Sequence, residues 1–268
     1  PRLSSTGQLA CADCHVPAQS YAGATLGKTA TGKDNLRRAP TLVNLAWHEG
    51  LAWDGRFGSF AELIGPHAQG QLGLDLAAAV TRIAEVPGYR AHFARAGGAS
   101  AATVGKALEA FVMTRYAGAA PWDRVERAPD APADLKAGYL LFTTRAQCAV
   151  CHQPQHYTDH RYHRLGLVKS PDEGRGKTDP KQQGAFKTPT LRGAAQREGF
   201  FHDASATTLE GAVDFHLAGG TGQGADPSVI DPALRKVNLS PKEREQLIAF
   251  VRALTDLTVP PPAKPALP

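Results

Sequence analysis

The chain has 268 residues, 42% of them hydrophobic and 21% charged, enough for one large domain or two small ones with a real core. Its 27 Gly and 20 Pro follow no period, which excludes a collagen-like chain, and no run approaches the roughly 18 apolar residues that span a bilayer. The net charge of +5 is scattered rather than gathered in Lys/Arg runs, so nothing indicates a nucleic-acid partner.

The chain opens at Pro1-Arg2-Leu3, without a charged-then-apolar leader; an export signal, if there was one, is not in this sequence. The first informative element is Cys11-Ala-Asp-Cys14-His15, repeated far downstream as Cys148-Ala-Val-Cys151-His152. The two pentads use all four cysteines. C-x-x-C-H is the attachment signature of c-type haem: two thioethers anchor the porphyrin and the adjacent His becomes the proximal iron ligand. A zinc site built from both Cys pairs would leave the two histidines unexplained. A thioredoxin-like pair needs a βαβ context that neither pentad has. The reading is therefore two covalently bound haem c groups. Because such haems are attached after export in bacteria, it carries the expectation of a periplasmic location.

Between the pentads, Leu74 to Glu85 shows helical periodicity ended by Pro87-Gly88, and Ser100 to Tyr116 repeats it. The second of these holds the single methionine, Met113, which suits core packing and can at most complete one haem. Arg127 to Pro132 reads as a linker, dividing a haem domain at 1–127 from another at 128–258. Leu135 to Thr143 leads into the second pentad as a helix. The polar, Gly-rich stretch Pro154 to Gly184 brings His156, His160 and His163 close in sequence, a set suited to a surface, a propionate contact or a metal. In Thr208 to His216, Leu209, Val213 and His216 share one helical face. Ser240-Pro241-Lys242-Glu243 is a helix start, and 259–268 is a Pro-rich tail. No alternating strand run appears. The expected fold class is all-α: two cytochrome c-like haem domains packed against each other.

With the pentads, Pro40-Thr41-Leu42-Val43-Asn44 leading into Trp53-Asp54-Gly55-Arg56, and Phe186-Lys187-Thr188-Pro189-Thr190-Leu191-Arg192, the chain resembles the bacterial di-haem cytochrome c peroxidases and the related MauG proteins over almost its whole length. The resemblance implies that the N-terminal haem, on His15, reacts with hydrogen peroxide, and that the C-terminal haem, on His152, stores or relays electrons. It implies a Trp relay, which falls at Trp53, and a sixth ligand for the second haem, which falls at His216 where relatives carry Met or Tyr. His202-Asp203 matches a family pair that contacts a propionate. Three features depart from the peroxidase pattern. The loop from Tyr21 to Arg38 lacks the histidine that closes the first haem, so an open or water-bound position is expected. The distal Glu falls at Gln71, or at Leu72 with the gap moved, leaving His67 and Glu62 as replacements for acid–base work. The Asn that ligates calcium in the family falls at Arg38, with the carbonyl positions at Arg197 and Gly199. A guanidinium cannot ligate calcium but can pair with propionates, so calcium is expected to be absent.

These departures favour a MauG-like oxidase over a peroxidase that detoxifies peroxide with electrons from a small redox protein. In that reading a high-valent two-haem, bis-Fe(IV) state oxidises a Trp or Tyr of a partner protein, as in members encoded in methanobactin copper-uptake operons. Trp47 and Trp122 are the candidate surface relays. The reading from a different class is a non-enzymatic di-haem electron carrier, which would need His48 or His67 as sixth ligand on the first iron.

Overall fold

Each pentad folds as a single helical turn, Cys11–Cys14 (α1) and a 3-10 turn at Cys148–Val150, and in both the His backbone N–H donates to the first Cys carbonyl at 2.8 Å. The structure, a computed structural model, describes residues 2–167, 172–221 and 224–256; the Pro-rich tail lies outside them. After α1 come α2 (Phe60–Leu72), α3 (Leu76–Ala84), α4 (Pro87–Arg95), α5 (Ala101–Met113), α6 (Pro121–Val125), α7 (Ala133–Thr143), α8 (Leu209–Leu217) and α9 (Pro241–Arg252). The only sheet among the described residues is a two-residue antiparallel pair, β1 (Tyr162–His163) with β2 (Phe186–Lys187). The fold is mostly helical, with one C-x-x-C-H turn in each half.

The helix start read at Ser240 acts locally, and three further helices carry caps of the same chemistry. Asp75 caps α3, Ser100 caps α5, Thr208 caps α8, and Ser240 with Glu243 forms a reciprocal capping box on α9. Pro87 both ends α3 and opens α4, as a proline at the first helical position does. The helix α2 has no clear counterpart in the sequence pattern, because Gly65-Pro66 interrupts it.

The larger core belongs to the second half, where Phe142, Tyr157, Leu247, Phe250 and Leu254 are almost wholly buried. There α7 and α9 pack backbone to backbone: a Cβ on Gly138 would meet the Gln246 carbonyl at 2.1 Å. Trp122 is 1% exposed and packs on Tyr139 and Phe250, so α6 joins this core. Trp122 is thus a core residue and not the surface relay the sequence suggested. The first half is held by smaller clusters, Leu51, Phe60 and Val112 between α2 and α5, and Leu72, Leu74 and Ala79 around α3.

The halves are joined through the Trp53-Asp54-Gly55-Arg56 motif. Asp54, 1% exposed, accepts from Arg37 at 2.7 Å and from Arg56 at 2.9 Å, while Arg37 also donates to Asp172 of the second half at 2.5 and 2.7 Å. Burial alone would raise the Asp54 carboxyl, but the guanidinium groups hold it below its ordinary value. Gly55 has a positive φ of 64°, and a Cβ there would lie 1.7 Å from the Tyr162 hydroxyl, so only glycine fits the motif against the second half.

Candidate haem centres

In the second half, His152 donates from Nδ1 to the Tyr157 carbonyl at 3.0 Å, which leaves Nε2 with its lone pair free for a metal. Opposite stands His216 on α8, its Nδ1 donating to the Ala212 carbonyl at 2.8 Å and its ring stacked on Phe201. The two imidazole centroids are 6.4 Å apart. A metal–imidazole bond is about 2 Å long, so two imidazoles on opposite sides of one ion put their ring centres roughly 6 Å apart. Between them opens a cavity with about 1520 Å³ of empty space, partly open to solvent, lined by Cys148, Cys151, His152 and His216. Trp53 and Arg38 of the first half line it too.

The polar lining fits a group that carries carboxylates. Arg38 and Arg197 are 3% and 7% exposed, and neither has a carboxylate within ion-pair distance among the described residues. Arg38 donates to the carbonyls of Phe201 and Gly23, and Arg197 to those of Thr190 and Arg192. Burial, partly offset by Asp203, lowers Arg38 to about 10; burial and then repulsion from Arg38 lower Arg197 to about 9. His202, stacked on Phe186 at 3.5 Å, has a buried Nε2 without a partner among the described residues. Two unpaired guanidinium groups and an orphaned ring nitrogen beside the two cysteine sulfurs suit haem propionates. The neighbouring Asp203 carboxylate accepts from the Ser205 N–H rather than from His202.

In the first half, His15 donates from Nδ1 to the carbonyls of Tyr21 and Pro40 at 3.2 and 3.1 Å, again leaving Nε2 for a metal. The ring across from it is His67 of α2, with centroids 6.2 Å apart. Burial and the nearby His15 lower His67 to about 4, so it is a neutral base at pH 7. Gln71, one turn on, shares its helical face. Leu72 is 7% exposed and packs with Leu74 and Ala79, so it is core. Glu62 is exposed in the first turn of α2, where its carboxylate accepts from the Gly58 N–H at 2.8 Å. That is a capping role at the far end of the helix from Gln71, not a catalytic one.

Trp53 is 5% exposed. Its indole N–H donates to the Arg38 carbonyl at 2.9 Å, two residues before the Pro40 carbonyl that holds His15. Trp47 is 45% exposed, stacked on His156 and packed against the exposed Tyr116. His156 and His160 pack with ring centroids 6.5 Å apart, but His163 does not join them in one three-histidine group among the described residues. His160 packs edge-on against His48, and His163 lies between Asp159 at 2.9 Å and Asp231 at 2.6 Å. His48 therefore belongs to the seam with the second half rather than to the His15 site. Met113 ends α5 and does not line the His152 cavity. Two buried cations had no sequence signal as site residues: Arg197, read only as a carbonyl position, and Lys187, whose ammonium donates to the carbonyls of Glu49 and Gly50.

Comparison with known proteins agrees with this layout. The family model for di-haem cytochrome c peroxidase matches residues 1–130, and that for cytochrome c matches residues 135–255. The chain is 35% identical to the methylamine utilization protein MauG of Methylorubrum extorquens, over 95% of this chain and 74% of that protein. It is 28% identical to the cytochrome-c peroxidase IdrP1 of Denitromonas iodatirespirans, over 95% of this chain and 78% of that one. Among solved structures, a MauG-like protein associated with microbial copper homeostasis superposes with a TM-score of 0.86 at 25% identity, covering 96% of this chain and 86% of the other. The chain belongs to the di-haem cytochrome c peroxidase and MauG family of enzymes. Its two cytochrome c domains, each with a C-x-x-C-H pentad, imply two haem c groups, and the family implies hydrogen peroxide as substrate.

Proposed function

We propose that this enzyme is a MauG-like oxidase that uses peroxide to oxidise an aromatic residue of a partner protein, in the bacterial periplasm. When bound, the two haems supply peroxide reduction and storage of two oxidising equivalents shared between them. The observation that carries the reading is the connection through Trp53. From His15, the path runs by hydrogen bond to Pro40, along the backbone to Arg38, and by a second hydrogen bond into the indole, which faces the His152/His216 cavity. Trp53 is buried and fixed at its N–H, so it is a relay that water does not reach.

On the distal side of His15, His67 is the neutral base placed to take and return protons as peroxide, two electrons and two protons from solvent become two waters, and Gln71 lies beside it as a hydrogen-bonding group. Both stand where the family's distal Glu is missing. Around the second site, Arg38, Arg197 and His202 hold the propionates, and the guanidinium of Arg38 places a positive charge where the family's calcium-ligating Asn falls. His216 is the sixth ligand there. Electrons from the partner enter at Trp47. This indole is exposed and stacks on His156, which precedes Tyr157, whose carbonyl holds His152.

Without a partner, stored oxidising equivalents settle on the protein's own exit residues. Peptide mapping after peroxide treatment of the holoprotein is expected to find oxygen added first at Trp47 and Tyr116. Oxidation confined to haem-contacting residues, with Trp47 intact, would overturn the exit assignment. Rapid turnover with a small reduced cytochrome and no self-oxidation would favour a donor-fed peroxidase instead.

A further inference from the structure

Large apolar side chains are seldom exposed among the described residues, yet three aromatic ones gather at one place. Trp47, Phe111 and Tyr116 are 45%, 46% and 59% exposed. Trp47 and Tyr116 pack with ring centroids 5.4 Å apart, and Phe111 packs edge-on against Tyr21 at 6.4 Å. Arg115 links the two pairs. It precedes Tyr116 in the chain, and its guanidinium lies 4.4 Å from the Phe111 ring centroid and 5.8 Å from that of Tyr21. Its hydrogen bonds go to neutral oxygens, the Tyr21 hydroxyl at 3.1 Å and the Thr114 hydroxyl at 2.6 Å, and its Nε has no partner among the described residues. No carboxylate of the described residues forms an ion pair with it. We propose that this face docks a partner protein through a segment that sets an aromatic side chain against Tyr116 and Trp47 and a carboxylate on Arg115. The inference rests on the reading of Trp47 as the exit and names what the partner presents there.

Buried hydrogen bonds fix the shape of this face. Asn44, 1% exposed, exchanges two side-chain hydrogen bonds with the backbone of Ala117, at 2.9 and 2.8 Å. Its own backbone N–H donates to the Arg115 carbonyl at 2.8 Å, and its carbonyl accepts from the Trp47 N–H at 3.2 Å. One buried residue thus ties the segment 115–117 to the turn that carries Trp47. A surface held rigid before binding loses little entropy when a partner lands. Trp, Tyr and Arg are also the side chains that dominate binding energy at protein interfaces. A guanidinium without a carboxylate gains a charge-assisted hydrogen bond when an acidic partner supplies one. The face reaches toward both centres on their proximal sides. Tyr21 supplies a carbonyl to His15, and Trp47 stacks on His156, the neighbour of Tyr157, whose carbonyl holds His152.

The test measures binding to the ferric holoprotein without peroxide, so it does not depend on turnover. The probes are two blocked tripeptides, acetyl-Glu-Trp-Glu-amide and acetyl-Lys-Trp-Lys-amide, followed by proton NMR line broadening of the indole at low ionic strength. The wild type is expected to bind the acidic peptide at least about fivefold more tightly, the scale of one partly exposed ion pair. Arg115→Gln is expected to abolish that preference, Arg115→Lys to restore most of it, and Tyr116→Ser to weaken both peptides. Arg90→Gln, the same loss of charge at an exposed position of α4, is expected to leave the preference in place. An unchanged Soret spectrum in each variant reports an intact fold. Equal binding of the two peptides by the wild type would overturn the proposal. So would an equal loss in Arg90→Gln and Arg115→Gln, since net charge alone would then account for the preference. A holoprotein dimer that Tyr116→Ser dissociates would overturn it too, assigning the face to a second copy of this chain. If the acidic peptide binds as expected and peroxide then leaves its indole intact, the docking site is supported and the oxidase reading fails.

Discussion

The two iron sites share a proximal design and differ on the distal side. Both proximal histidines follow a C-x-x-C turn and are oriented by backbone carbonyls, so neither needs a side-chain partner to fix its tautomer. Their distal histidines stand at nearly the same distance but on unlike helices. The helix α8 is regular, capped by Thr208, and holds His216 by a hydrogen bond and a ring stack. The helix α2 is interrupted by Pro66 and holds His67 by position alone. One scaffold thus sets an anchored imidazole opposite His152 and a less tethered one opposite His15. What separates the two sites is how the distal ring is held, more than which residue it is.

The largest expected effect breaks the communication between the sites. Phe at position 53 keeps an aromatic ring but cannot donate to the Arg38 carbonyl. Trp53→Phe is expected to leave both resting haem spectra in place. Sharing of oxidising equivalents should fall on the order of tenfold or more, equivalent to about 1.4 kcal/mol or more on the barrier. Stopped-flow spectra at the two Soret bands measure this. Asp54→Ala attacks the joint itself. It leaves Arg37 and Arg56 without their shared buried carboxylate, so unfolding by denaturant should show a loss of about 3 kcal/mol, the low end for removing one partner of a buried ion pair.

Acid sharpens the comparison at the seam. In the folded chain, burial and then the Lys187 charge lower His48 to about 3 from its ordinary 6.5. Between those values the unfolded chain binds the proton and the folded chain does not, so stability falls as the pH drops from about 6.5 toward 3. His48→Asn should flatten that fall by a few kcal/mol at most, read as unfolding midpoints across the window. The smallest effect concerns the anchored helix. Thr208→Ala removes the cap of α8 and should cost about 1 kcal/mol, with no change of spin state at the His152 haem if packing on Phe201 is what holds His216.

Much of this was legible in the sequence, for reasons that differ by residue. The pentads are chemistry written in consecutive residues, and His216 was placed by the family resemblance, with helical spacing to Leu209 and Val213 agreeing. The cap of α9 at Ser240 is local too. What could not be read depends on contacts far along the chain. The Gly65-Pro66 pair hides α2, since a sequence pattern treats those residues as breakers, while Phe60, Ala68 and Leu72 bury the helix anyway. That concealed which helix carries His67 to the ring of His15, although His67 itself was among the residues the sequence offered. Trp122 looked like Trp47, yet α6 carries it into the second core. Arg197 is a buried cation only because the fold sets it next to Arg38, a neighbour distant in sequence.

The central claim is that peroxide reacting at the His15 haem oxidises both haems through Trp53. The most direct measurement adds one equivalent of hydrogen peroxide to the fully ferric holoprotein and follows the Soret and near-infrared regions together. Simultaneous change of both haems, with a near-infrared charge-resonance band and no prior reduction, is the predicted result. No reaction until one haem has been reduced, or oxidation of one haem alone, would contradict the account.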